Sequence, residues 1–425
     1  MTETIVASSG PVGGPDPSSS ERPVPDVQFT GLRMPLFKLA LKNLLFTLAT
    51  FGIYRFWAKT RIRQYFWRNI QFHGQALEYA GKPSELLIGF LIALAVLVPI
   101  FAVYKGIGFV MQGSSNVTLM LLNIAYIATL LAFFQFAFYR MWRYRLSRTV
   151  WQGIHFGLDG SPWKYAALRL GGLVLTFLTL GIAYPWYRVA IWRFRARHTR
   201  YGDQHFAFAG SGADLLMPWL GAATLPIVVL IIWLGSIVSG MIDSAAMATD
   251  EVSGLLSFQA ESRLGGLFYL IAILTVIASP VLNIWYRVRE AEYLINATTF
   301  KNASFYAPLR FRPIIGSVLR WLASLFLLSV LPMILVGSVS ISTIMLSHDM
   351  TAGMSMIFWI IGLSVIVVTM VPVLSMTILN YDFTRHVCAV LQIQNIEVFD
   401  DVARSTRPGP SYGEGFADAL DVGAF

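Results

Sequence analysis

The chain has few cysteines and few charged residues. It has one cysteine, Cys388, which excludes an intramolecular disulfide framework and a cysteine-based metal site. Only 13% of its residues are charged, whereas about 25% is typical of soluble domains. With 56% hydrophobic residues and a mean hydropathy of +0.61, the composition predicts a polytopic membrane protein.

Acidic residues are absent from six long apolar stretches, each of which can cross a hydrocarbon core that takes about 20 helical residues. The six are Leu86 to Tyr104, Thr118 to Phe138, Leu215 to Gly240, Leu264 to Trp285, Ile314 to Val336 and Met356 to Leu379. Their one charged residue is Arg320, near the start of the fifth stretch. Proton and sodium relays place ionisable groups inside the bundle, so this pattern argues against cation-coupled transport.

Catalytic motifs are missing as well. The sequence contains no HExxH and no phosphate-binding loop that ends in Gly, Lys and Ser or Thr. The histidines of the polar segments, His73, His155, His198 and His205, lack the close spacing of metal ligands, so we expect packed or hydrogen-bonded side chains. The sequence therefore predicts no enzyme, no cofactor and no metal site.

The positive charge that gives the chain a net +9 is concentrated in four blocks. These blocks, residues 55–82, 140–169, 188–214 and 287–312, hold 22 of the 32 Lys and Arg residues. Positive residues of short loops stay on the cytoplasmic side, which favours four cytoplasmic blocks and argues against nucleic acid as a partner. Both termini are then cytoplasmic, with residues 1–28 as a disordered tail and residues 400–425 as an acidic, solvated tail.

Two further apolar stretches are poor membrane spans. Asn43 to Tyr54 has only 12 residues, and Leu170 to Tyr187 contains three glycines and Pro185. If both are short or re-entrant, the six long spans leave all four basic blocks on one side of the membrane. The alternative, eight spans, places the blocks before and after Leu170 on opposite sides.

Part of the sequence is repeated. GIYRFWAKTRIRQYFWRNIQFHGQALEYAG, from Gly52, aligns without a gap on GIAYPWYRVAIWRFRARHTRYGDQHFAFAG, from Gly181. A third copy ends at Gly160 and an eroded fourth begins at Asn283. Each copy joins an apolar helix to a basic, aromatic helix and a short alternating segment, which predicts small cytoplasmic β-hairpins that could meet in one layer. We assign membrane units to residues 29–165, 166–313 and, in degenerate form, 314–399.

The segments TLATFGIYRFWAKTRIRQYFWRN and LTLGIAYPWYRVAIWRFRARHTRYGD and the ending GEGFADALDVGAF resemble the YjgN-like family of bacterial inner-membrane proteins. The resemblance covers residues 29–425 and implies fold and location, a multi-pass protein of the bacterial inner membrane. It implies no activity. The chain departs from the pattern at Phe56, where the first copy lacks a proline, and at NYDFTRHVCAV, which replaces a basic helix bearing tryptophan.

The basic, aromatic helices are the best candidates for a functional site. Arginine can hold anionic head groups while aromatic rings lie at the interface. The candidate lipid or ligand residues are Arg55, Trp57, Lys59, Arg61, Arg63, Trp186, Arg188, Trp192, Arg193, Arg195 and Arg197. We expect a protein that binds or moves an anionic lipid or other amphipathic anion at the cytoplasmic leaflet. A generic interfacial belt, a scaffold whose hairpins dock a protein partner, a homo-oligomer and a channel remain alternatives.

Overall fold

A computed structural model describes residues 26–246, 251–347, 351–404 and 418. Eleven α-helices occur within these residues: Arg33–Ala49 (α1), Arg55–Asn69 (α2), Pro83–Val110 (α3), Asn116–Ser147 (α4), Pro162–Leu178 (α5), Tyr184–His198 (α6), Leu216–Ala246 (α7), Glu251–Asn296 (α8), Phe311–Ser347 (α9), Thr351–Leu374 (α10) and Tyr381–Val390 (α11). A π-helical segment, Ser375–Asn380, joins the last two. The strands are Val27–Phe29 (β1), Ile70–Phe72 (β2), Gln75–Ala76 (β3), Glu78–Tyr79 (β4), Thr149–Trp151 (β5), Ile154–Leu158 (β6), Thr199–Tyr201 (β7), Gln204–Phe208 (β8), Thr298–Phe300 (β9), Ala303–Tyr306 (β10) and Gln392–Gln394 (β11).

Five helical segments of the described chain are long and apolar enough to cross a membrane. They are Pro83–Val110, Asn116–Ser147, Ala213–Gly235, Phe311–Ile334 and Phe358–Val390. Each coincides with one of the predicted spans. The sixth predicted span, Leu264 to Trp285, lies within α8 and is not among the five, and its first part falls outside the side chains that the structure describes. The chain is a membrane helix bundle.

The strands form a single antiparallel layer at one end of the helices. The sheet order is β11-β10-β9-β8-β7-β6-β5-β4, and a second sheet, β1-β2-β3, adjoins it through Leu77. Four hairpins, β2–β3, β5–β6, β7–β8 and β9–β10, have two-residue loops. The first loop residue has a positive φ in each case: His73, Gln152, Gly202 and Lys301. Such loops match the twist of paired strands, and the predicted hairpins and their meeting in one layer are confirmed.

The β layer determines which segments lie on the same side of the membrane. An open sheet cannot lie in hydrocarbon, because its edge groups would lack hydrogen-bond partners. The four hairpins and the basic segments next to them are thus on one side. α1 and α2 lie between β1 and β2, which pair with each other, and α5 and α6 lie between the paired strands β6 and β7. Each of these two helical hairpins thus begins and ends at paired strands.

The core of the β layer is centred on Phe399. The aromatic rings within about 6.4 Å of it are Phe72, Trp151, Tyr201, Phe300 and Phe305. These rings come from all four hairpins. Ile393 of β11 also donates its backbone N–H to the Asp26 carboxylate, which brings the last strand next to the first. The hairpins therefore curve around one side chain from near the C-terminus.

Two predictions about the termini need correction. Val27 and Gln28, assigned to the disordered tail, pair with β2 as part of β1. Val402 and Asp418, assigned to a solvated acidic tail, are buried. The physical reason is that β1 covers the edge of β2 and that Asp418 meets buried arginines. Residues 1–25, 405–417 and 419–425 lie outside the described residues.

Candidate functional site

The two short apolar stretches form a helical hairpin each, with the same break. In the first, Gly52 (φ +91°) donates its N–H to the Thr47 carbonyl at 2.7 Å, and the Thr50 hydroxyl accepts the N–H of Tyr54 at 2.9 Å. In the second, Gly181 (φ +92°) donates to Thr176 at 2.7 Å, and Thr179 accepts the N–H of Ala183 at 3.0 Å. In each break, a threonine at the end of the first helix thus accepts the N–H of the residue just before the second helix, and a glycine between the two has a positive φ.

Apolar side chains project from both breaks. Phe51 is 99% exposed and Leu180 is 68% exposed, and both residues have a positive φ next to the glycine. α1 and α5 have 17 residues each, about 25 Å of helix, which is shorter than a hydrocarbon core of roughly 30 Å. An exposed apolar tip on such a hairpin suits shallow insertion into a bilayer.

The basic residues of α2 point in two directions. Arg63 is buried and pairs with the Asp418 carboxylate, which also accepts a hydrogen bond from Arg145 Nε at 2.9 Å. Lys59 Nζ donates to the Asp418 carbonyl at 2.6 Å. These two candidate residues are therefore occupied by the chain's own C-terminal segment.

The charges of this cluster act strongly on one another. Burial by itself raises the pKa of Asp418, but Arg63, Arg145 and Lys59 outweigh it and lower the pKa to about 2. Burial likewise acts to lower the pKa of Arg63, and the Asp418 charge reverses this, so the pKa is raised. The cluster remains ionised at neutral pH.

Other α2 residues lie nearer the outer surface. The guanidinium of Arg55 lies 4.8 Å from the centre of the Phe90 ring of α3. The ring of Trp57 stacks on Tyr54, and Arg61 donates a hydrogen bond to the Tyr54 hydroxyl. Cationic and aromatic groups are thus interleaved directly below the first apolar tip.

The α6 candidates are divided in the same way. Arg188 pairs with the buried Glu290 of α8, and Arg193 donates to the Gly210 carbonyl at 2.7 Å. Arg197 and Trp186 are exposed. Trp192 and Arg195 face the interior, where the Trp192 indole donates to the Thr298 hydroxyl at 3.1 Å. The predicted residues therefore do not form one surface.

An apolar groove of about 540 Å³ separates α3 from α4. Its lining includes Ile92, Val96, Ile100, Thr129, Phe133 and Phe136. Two arginines lie near residues of the groove. The guanidinium of Arg140 lies 5.7 Å from the ring of Phe136, which lines the groove, and that of Arg55 lies 4.8 Å from the ring of Phe90 on α3. An apolar groove with cations close to it suits an amphipathic anion.

The histidines in and next to the β layer have different hydrogen-bond partners. His205 Nε2 lies 3.1 Å from the Asp159 carboxylate, and His198 Nδ1 lies 2.6 Å from the Phe194 carbonyl. Over the described ranges, no three His, Cys, Asp or Glu side chains come together as metal ligands. The expected hydrogen-bonded role is confirmed for these two histidines.

The sequence of this chain matches a known family of bacterial proteins. A family model described as a bacterial protein of unknown function (DUF898) matches residues 24–419. The chain belongs to this family. The inner membrane protein YjgN of Salmonella typhimurium is 26% identical over 162 residues, which are 36% of this chain and 37% of that protein. The predicted YjgN-like resemblance is confirmed, and this DUF898 member is a multi-pass protein of a bacterial inner membrane.

The alignment with YjgN covers little more than a third of that relative, so it carries location and family but no activity. No solved structure matches the chain. Three features of the site were not predicted from the sequence: the Asp418 cluster, the α3–α4 groove and the role of Arg140. The acidic ending was visible in the sequence, but nothing in it distinguished Asp418 from the neighbouring carboxylates.

Proposed function

We propose that this protein binds or moves a lipid or another amphipathic anion at the cytoplasmic leaflet of the inner membrane, without catalysing a reaction. The α3–α4 groove carries the proposal, because it joins an apolar slot to two arginines at the level of the helix ends. An acyl chain would occupy the slot beside Phe133, and an anionic head group would meet Arg55 and Arg140. The guanidinium of each arginine lies over an aromatic ring.

The proposed topology has six spans, α3, α4, α7, α8, α9 and α10, with α1–α2 and α5–α6 as re-entrant hairpins. The equal lengths of the helices in the two hairpins, 17 and 15 residues, and their shared break support an internal repeat. The basic residues beside the β layer support a cytoplasmic position for it and for both termini. The unit boundaries at residues 165, 313 and 399 remain a prediction.

The non-enzymatic part of the proposal is supported by how the carboxylates are used. Glu85 pairs with Arg148, Glu290 with Arg188, and Asp382 with Arg33 and Arg320. A carboxylate whose oxygens already accept hydrogen bonds from arginine is poorly placed to act as a general acid or base on a bound molecule. The scaffold alternative has less support, because the hairpins are paired with one another around Phe399 and offer few free strand edges.

Lipid retention by variants of the groove tests the proposal. Val96→Trp fills the slot, whereas the control Val98→Trp changes an exposed residue of the same helix that does not line it. We expect Val96→Trp and the double variant Arg55→Gln/Arg140→Gln to lose most of the anionic lipid that co-purifies with the wild type, measured by mass spectrometry after detergent exchange. Val98→Trp and Arg68→Gln, an exposed arginine of α2, should retain it. Equal lipid content in all variants would refute a groove site.

A further inference from the structure

A second cavity, between α4 and α6, contains hydrogen-bond donors without acceptors. Its volume is about 250 Å³, and its lining includes Trp142, Leu158, Trp192, Arg195, Thr199 and Thr298. It lies where both helices run into the β layer, away from the α3–α4 groove. Its occupancy therefore does not depend on the proposed lipid function.

Arg195 is held between two indole rings inside this cavity. Its guanidinium carbon lies 5.0 Å from the centre of the Trp142 ring and 4.9 Å from that of Trp192. Its Nε is buried and has no hydrogen-bond partner. Within the part of the chain that the structure describes, no carboxylate pairs with Arg195, whereas Arg188 of the same helix pairs with Glu290. Burial lowers the pKa of Arg195, and the charges of Arg188 and Arg169 lower it further.

The indole of Trp142 is the second donor without a partner. Its Nε1 is buried and makes no hydrogen bond, whereas the Trp192 indole donates to Thr298 at 3.1 Å. Two hydroxyls line the cavity: Thr199 Oγ1 donates to the Arg195 carbonyl at 2.8 Å, and Thr298 Oγ1 donates to the Leu294 carbonyl at 2.7 Å. Neither accepts a hydrogen bond from Trp142. A buried donor that is left unsatisfied is unfavourable, and more so when the donor is charged.

An arginine at the matching position of α4 shows which chemical group such an arginine can bind. α4 and α6 carry the same residues at the same spacing, Trp142 and Arg145 in α4 and Trp192 and Arg195 in α6. Each pair is followed four residues later by a threonine that begins the next strand, Thr149 in β5 and Thr199 in β7. Arg145 Nε donates to the Asp418 carboxylate at 2.9 Å. Arg145 is thus bound by a carboxylate from the chain itself, whereas no carboxylate is among the described residues that line the cavity at Arg195.

We propose that the α4–α6 cavity binds a small anion that carries a carboxylate or phosphate group on a compact apolar body. The oxyanion accepts hydrogen bonds from Arg195 Nε and Trp142 Nε1. The apolar body lies against Leu158 and Phe206, and the two indole rings confine the group from either side. Burial strengthens these charge-assisted hydrogen bonds, since the local dielectric is low.

Binding of small probes to the full-length protein in detergent tests this proposal. The probes are sodium benzoate, inorganic phosphate and a short-chain phosphatidic acid, each compared with sodium chloride at constant ionic strength by calorimetry and thermal unfolding. We expect saturable binding of at least one probe. Binding of benzoate or phosphate identifies a free anion as the ligand, and binding of phosphatidic acid alone identifies a lipid head group.

Three variants make the test specific. Trp142→Phe removes only the indole donor and should raise the Kd about tenfold, equivalent to about 1.4 kcal/mol. Arg195→Met keeps the packing volume and should abolish binding. Arg197→Ala removes an exposed arginine of the same helix and should bind like the wild type. If Arg195→Met does not fold, Trp142→Phe decides the outcome. No saturable binding of any probe, or an unchanged Kd in Trp142→Phe, overturns the proposal.

Discussion

The carboxylate of Asp418 accepts hydrogen bonds from both terminal guanidinium nitrogens of Arg63, 355 residues earlier in the chain. Neither side chain is more than 2% exposed. Removing one partner of a buried pair leaves an uncompensated charge, which costs about 3–5 kcal/mol. Asp418→Asn should therefore lower the free energy of unfolding by this amount in a denaturant titration of the solubilised protein. Glu397→Gln, an exposed acidic control, should change it little.

The same pair predicts a pH dependence. The pKa of Asp418 falls from 3.8 to about 2 on folding, so its stabilising contribution is present above pH 3.8 and is lost as the pH falls toward 2. Protection of the C-terminal segment from protease should persist at pH 5 and disappear in this acidic window. Asp418→Asn should show no such transition, and a wild-type transition near neutral pH would contradict the pairing.

Phe399 should be the most sensitive position in the β layer. Truncating a buried phenylalanine leaves a cavity and typically costs about 3–5 kcal/mol. We expect Phe399→Ala to unfold the β layer at lower denaturant concentration than the wild type, followed by the near-ultraviolet signal of Trp151 and its neighbours. Phe383→Ala, at an exposed phenylalanine, is the matched control. Similar midpoints for the two variants would mean that the hairpins do not depend on Phe399.

The hairpin break predicts opposite effects for two glycine substitutions. Gly52 has a φ of +91°, and an added Cβ there would meet no atom within 4 Å, so Gly52→Ala tests backbone strain alone. The left-handed conformation costs an L-residue about 1–2 kcal/mol. Gly106 lies inside α3 with similar free space, and Gly106→Ala should stabilise the helix by up to about 1 kcal/mol. Thermal unfolding of the two variants should move in opposite directions.

Single-cysteine labelling tests the topology. In a Cys388→Ser background, Ser114→Cys, between α3 and α4, should react with an impermeant maleimide applied from outside the cell. Ser161→Cys, next to the β layer, should react only after permeabilisation, and Leu180→Cys at the second tip should stay unreactive in the membrane. Labelling of the residue 161 variant in intact cells would place the β layer on the periplasmic side and remove the basis for a cytoplasmic site.

Hydropathy and charge predicted the helix bundle because the bilayer selects long apolar segments by composition alone. The hairpins were also predictable, since HFAFAG and HFGLDG alternate and end in turns. The hydrogen-bond partners of the arginines could not be predicted from the sequence. Whether Arg63 contacts lipid or Asp418 depends on a contact between distant parts of the chain. The sequence around Arg63 and the sequence around Asp418 do not reveal this contact. The α3–α4 groove could not be predicted for the same reason, because it depends on how two apolar helices pack against each other.

The position of Phe399 also bears on biosynthesis. All four hairpins leave the ribosome before this residue does, so their aromatic faces stay without a common centre until residue 399 has been synthesised. A chain that stops before residue 399 contains every predicted span, but the aromatic side chains of its β layer would remain exposed beside the membrane. Such truncated products should be substrates for membrane proteases and chaperones.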